Sequence, residues 1–230
     1  MNFVLINEGT AAVPLTAQVT QAWLDRVASS CTVQLDRDVS PSWGGSYSVR
    51  AGVAGSIAPG EIVFAIVDVL PGAPGAIAYH DVDGNAAPVA YLALSTCSTL
   101  DDVSIAISHE LCETAGDAGC NLWADDGRGT EWARELCDAV ESSSYEIDGV
   151  RVSDFVLPAF FVTNAHGPYS YTESVGGPRG ALVPFGTAPG GYQIKRDGTG
   201  QTVQVNGTRH PMRSAKTAHW SSRFARRLHP

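Results

Sequence analysis

The stretch Ser104-Ile-Ala-Ile-Ser-His-Glu-Leu-Cys-Glu-Thr-Ala-Gly-Asp117 decides how the rest of the chain is read. Leu100, Val103, Ile107 and Leu111 recur at three- and four-residue steps, the period of one buried helix face. Ser98 or Thr99 can cap its start, Asp101 and Asp102 meet the free N–H groups and the positive end of the dipole, and Gly116 is a stop signal. His109, Glu113 and Asp117 follow at i, i+4 and i+8 on a neighbouring face, with Glu110 to one side. Side chains four apart on a helix approach within about 6 Å, so an imidazole and a carboxylate here can grip one cation.

His109-Glu110-Leu-Cys-Glu113 has the spacing of H-E-x-x-H, in which two His bind zinc and the intervening Glu is the general base. Here Glu113 stands where the second His would be. Glu is a legitimate zinc ligand, but its harder oxygen shifts preference toward oxygen-loving ions and its charge weakens the metal as a Lewis acid. Zn2+ is the expected ion, with Ca2+ or another divalent ion as alternatives. His109 and Glu113 supply two ligands, and the third is left to Asp117, Glu135, Asp138 or Glu141. The last three recur by threes on what reads as a short helix over 131–140, so they can face one direction. Glu110 is the candidate base. His80 closes a strand-like run beside Asp81, which can orient it; a lone His in Tyr-His-Asp reads first as structural, with support of the ligands from behind or ligation itself as the alternatives. Each has a plainer alternative: a hydrogen-bonded polar cluster that fixes the His109 tautomer with no metal, and an acidic solvated face over 135–141. Tyr145 and Tyr169 are further groups able to polarise a substrate oxyanion, though no spacing selects them.

The 230 residues suit one sizeable domain or a domain with an appendage. With 44% hydrophobic and 17% charged residues, the composition is that of an ordinary globular protein. No apolar run is long enough to span a bilayer. Met1-Asn-Phe-Val-Leu-Ile6 has no basic lead and soon meets Asn7 and Glu8, so it reads as a first strand and not a signal peptide. The expected place of synthesis is the cytoplasm, with later incorporation into a particle open. Five cysteines leave one unpaired in any disulfide scheme, and none forms C-x-x-C. They read as small buried hydrophobes in a reducing compartment, a thiolate ligand or local disulfide being the alternative.

The net charge of −9 is unevenly spread. Asp101–Asp148 holds 13 acidic residues against Arg128 and Arg134, which suits a cation site or a solvated acidic surface. From Arg209 onward there are six basic residues and no acidic one. Trp220, Phe224 and Leu228 recur there at a four-residue step, so the tail is expected to dock on a protein partner or on this chain. No reading motif accompanies those charges, so nucleic acid is not the expected partner.

Asn2–Asn7 reads as a strand and Thr16–Asp36 as an amphipathic helix carrying Val19, Trp23 and Val27. Strand-like runs follow at Tyr47–Ala54, Glu61–Val69, Ala76–His80 and Ala87–Ser95, with hairpin signals at Asp83-Gly84, Asp148-Gly149 and Asp197-Gly198. The expected fold is α+β: a helix, a mostly antiparallel twisted sheet, and the His109 helix laid on it. Residues 1–162 form the expected domain. Residues 163–230 read as an irregular extension with one hairpin and the basic tail.

That order of elements resembles the N-terminal half of the zincin metallopeptidases. A closer resemblance is to an uncharacterised zincin-like family of bacterial and bacteriophage genomes. It is carried by Pro41-Ser-Trp-Gly44, Tyr79-His-Asp81, Ser108-His-Glu-Leu-Cys-Glu113 with Asp117, Glu135-Leu-Cys-Asp-Ala-Val-Glu141 and Val152-Ser-Asp-Phe-Val-Leu-Pro-Ala-Phe160, over roughly residues 16 to 162. The resemblance implies peptide hydrolysis, a substrate aligned along the strand before the metal helix, and a downstream carboxylate from 135–141 closing the ligand set. Some members lie among phage structural genes, which also implies a catalytically silent virion component using the scaffold for assembly.

Overall fold

The computed structural model describes residues 1–70, 73, 75–178 and 182–208. The basic tail, with Trp220, Phe224 and Leu228, lies outside the described residues. The elements that position the cluster begin with β1 (Asn2–Asn7), α1 (Gln21–Val33), the short α2 (Ser40–Trp43), β2 (Ser48–Gly52), β3 (Glu61–Val67), β4 (Ala78–Val82) and β5 (Pro88–Ala93). They continue with α3 (Leu100–Gly116), β6 (Trp123–Asp125), β7 (Thr130–Ala133), β8 (Ser144–Ile147), β9 (Val150–Ser153), the short α4 (Tyr171–Ser174), β10 (Tyr192–Asp197) and β11 (Thr202–Asn206).

The architecture is α+β, but the main sheet is mixed rather than mostly antiparallel. Its order is β2-β1-β3-β5-β4. β1 pairs in parallel with both β2 and β3, β3 pairs in parallel with β5, and only β4 runs antiparallel, as the far edge. The cause lies in β1. Phe3, Val4, Leu5 and Ile6 are all buried, so this strand needs a neighbour at each edge and cover on each face. β2 and β3, adjacent in sequence, therefore flank β1 instead of pairing with each other. Turn residues between them mark a break in the chain, not a reversal into a hairpin.

α1 packs on β2 and on β9, while α3 lies against β4, β5 and β9. Leu24, Val27 and Cys31 of α1 join Val103, Ile107 and Leu111 of α3 in one apolar core with Phe3, Leu5, Phe64 and Ile66 of the sheet. The helix expected over Thr16–Asp36 is in three parts: a 3-10 turn at Pro14–Gln18, α1 capped by the Thr20 hydroxyl, and a wide π turn over Gln34–Val39. The π turn buries Asp38, which accepts hydrogen bonds from the Tyr145 and Tyr171 hydroxyls at 2.8 and 2.7 Å and pairs with Arg37.

The helix expected over 131–140 is not formed. Thr130–Ala133 is strand β7, between β6 and β10, and Glu131 there pairs with Arg196 at 2.6 Å. Residues Asp138–Val140 make a single 3-10 turn. Carboxylates spaced by threes imitate a helix face, but β10 supplies a hydrogen-bonded partner strand that the local spacing cannot reveal. Both later hairpins form as expected, β8–β9 turning at Asp148-Gly149 and β10–β11 around Asp197-Gly198. Asp148 and Gly149 both have positive φ, +50° and +76°, the backbone that a two-residue hairpin turn requires. β10 joins the segment after residue 162 to β7 by backbone hydrogen bonds.

Candidate metal centre

α3 starts where the sequence reading put it. The Asp102 N–H donates to the Thr99 hydroxyl, and the Asp102 carboxylate accepts from the Thr99 and Ser98 N–H groups, a reciprocal cap. Three turns on, the helix face turned away from the apolar core is polar yet buried: His109, Glu110 and Glu113 are each no more than 3% exposed. Serines on α3 tie it to the β8–β9 hairpin. The Ser104 hydroxyl donates to the Arg151 carbonyl at 2.8 Å, and the Ser108 oxygen accepts from the Ser153 N–H at 2.7 Å.

At the helix end the 134–141 loop is drawn close. Gly116 has no Cβ because one would sit 2.3 Å from Leu136 Cδ1. The Arg134 guanidinium donates to the Gly116 carbonyl at 2.8 Å and stacks over Trp43, whose indole N–H donates to the Val156 carbonyl. These contacts hold Glu135 and Asp138 beside α3. The centre therefore draws on three stretches: strand β4, helix α3 and the 134–141 loop.

Six side chains converge. His80 Nδ1 lies 3.3 Å from Glu110 Oε2 and 3.3 Å from Glu113 Oε2, and its Nε2 is 3.8 Å from Glu135 Oε2. His109 Nε2 lies 3.0 Å from Glu113 Oε1 and 3.2 Å from Asp138 Oδ1. Two groups of three can each hold a metal ion: His80, Glu110 and Glu113, and His109, Glu113 and Asp138. Tetrahedral zinc with bonds of about 2.0–2.1 Å sets its ligand atoms about 3.3 Å apart, close to the spacing of each imidazole nitrogen from its two carboxylate oxygens. Imidazole nitrogens beside buried carboxylate oxygens are a donor set that fits a divalent cation.

The other residues expected at the site have visible duties. Asp117 caps the end of α3, its two oxygens accepting from the Asn121 and Leu122 N–H groups at 3.1 and 2.7 Å. Asp81 is buried and accepts from the Val82 N–H. Glu141 is buried just past the 3-10 turn. Neither Tyr145 nor Tyr169 is poised for an oxyanion: their hydroxyls donate to Asp38 and to the Ala165 carbonyl. His80, read first as structural, belongs with Glu110 and Glu113 to one of the two groups that could hold an ion. Its signal was weak, a lone His in a short strand, and only the antiparallel pairing of His80 with Ala90 on the sheet edge aims that position.

None of the five cysteines is joined in a disulfide. Burial, and then the neighbouring Cys112, push the Cys137 thiol well up, so it is a neutral packing group between α3 and the loop. Protein-family models, curated proteins and solved structures were each compared with the chain, and no match was found in any. Fold and site together define an α+β protein with a buried His/Glu group able to hold a metal ion. Among the described residues no helix is long and apolar enough to cross a membrane.

Proposed function

We propose that the protein is a metal-dependent hydrolase of peptidase type, with His109, Glu113 and Asp138 holding the ion and Glu110 acting as base. One observation carries the reading. Glu113 and Asp138 bring oxygens within 3.0 and 3.2 Å of His109 Nε2, while Glu110, the next residue along α3, faces the same buried space. Imidazole among the donors favours Zn2+ or a similar ion over Ca2+, which takes six to eight oxygens. A bound divalent ion supplies Lewis acidity and a water of lowered pKa. Glu110 accepts the proton from the attacking water, and His80, 3.3 Å away, holds that carboxylate in place and can share its charge. By the zincin resemblance an extended peptide would align along β4, the edge strand that carries His80. On this reading residues 1–162 are the zincin-like domain and 163–230 an extension through which protein partners dock, in a phage particle as the resemblance implies.

A second reading is favoured by burial. All six ligand candidates are at most 3% exposed, whereas a catalytic metal keeps an open position. The ion would then be a staple in a catalytically silent virion component. Metal analysis of the purified chain, with a peptidase assay before and after chelation, separates the two. Chelator-sensitive cleavage that disappears in Glu110→Gln supports the hydrolase; metal without cleavage supports the staple.

A further inference from the structure

We infer that the centre holds two divalent cations bridged by Glu113, an inference that rests on reading the cluster as a metal centre. Five of the six side chains divide into two sets that share Glu113. Oε2 of Glu113 faces His80 Nδ1 at 3.3 Å, in company with Glu110 Oε2. Oε1 faces His109 Nε2 at 3.0 Å, in company with Asp138 Oδ1. A single ion between the two imidazoles would have to abandon one of these sets. Each oxygen of a bridging carboxylate serves its own ion, and paired ions in hydrolytic centres stand about 3.5–4 Å apart.

Glu135, 3.8 Å from the far nitrogen of His80, stands outside both sets and can orient that ring from its other side. Glu110 becomes a ligand of the second ion in this arrangement.

The test uses the full chain, stripped with a chelator and dialysed against excess Mn2+ or Zn2+, with bound metal counted by mass spectrometry. Two ions per chain are expected, with an exchange-coupled Mn2+ signal in electron paramagnetic resonance. One ion per chain overturns the inference and leaves the single-ion hydrolase standing; none overturns both. Two ions with uncoupled spins overturn the bridge. Glu110→Gln distinguishes the roles further: the count falls from two to one if Glu110 is a ligand, and is unchanged if it is only a base, which counts against the inference.

Discussion

At the residue scale, the contacts that steady the centre are single atoms with few substitutes. The Ser108 hydroxyl satisfies the buried Ser153 N–H, so Ser108→Ala leaves that donor without its partner. The expected cost is about 1–3 kcal/mol, read as a lower urea midpoint at unchanged slope. An unchanged midpoint would show that the contact contributes nothing. Gly116→Ala should also destabilise, despite the better helix propensity of Ala at about 1 kcal/mol, because its methyl must displace the fully buried Leu136. Leu136 stands between Glu135 and Asp138, so cation affinity should fall in the same variant. Away from the centre, the Arg50 guanidinium and the Ala58 N–H hold Glu61 down at about 2. A depressed folded-state value means that its stabilisation is whole above the ordinary carboxylate range and is lost as pH falls toward 2. Titration of the Glu61 side chain by NMR should show that low midpoint, and Arg50→Ala should raise it; equal midpoints would refute the pairing.

At the element scale, α3 is the helix on which the site depends, and its first turn is held by the Thr99–Asp102 cap. Thr99→Ala removes the oxygen that accepts from Asp102 N–H and should cost about 1 kcal/mol, measured by thermal or urea unfolding. Hydrogen exchange should quicken first in the opening turn. Exchange that quickens equally along the helix would mean that the cap does not act locally.

At the scale of the whole molecule, three separate stretches meet in one cluster of like charge, so cation binding and folding are linked. A ligand at a hundred times its Kd stabilises the folded state by about 2.7 kcal/mol, which for a chain of 230 residues is a rise in Tm of about 5–10 °C. Scanning calorimetry with Zn2+ and with a chelator should show that difference. A Tm indifferent to both would remove the metal from the account of this fold.

Sequence alone determined what depends on neighbours along the chain. Period and cap placed α3, Asp-Gly pairs placed the hairpins, and i to i+4 spacing paired His109 with Glu113. Each is set by contacts within a few residues, where backbone geometry leaves little choice. The tertiary structure decided the rest. Strand direction in the sheet followed from β1 needing two partners, and β7 formed because β10, some sixty residues later, paired with it. His80 reached the cluster because β4 lies at the sheet edge beneath α3. Asp138 came within reach of His109 because Gly116 let Leu136 approach, while Asp117 accepts from two N–H groups just past the helix end. Such choices are made by packing between distant segments, and no local pattern encodes which buried carboxylate will face which imidazole.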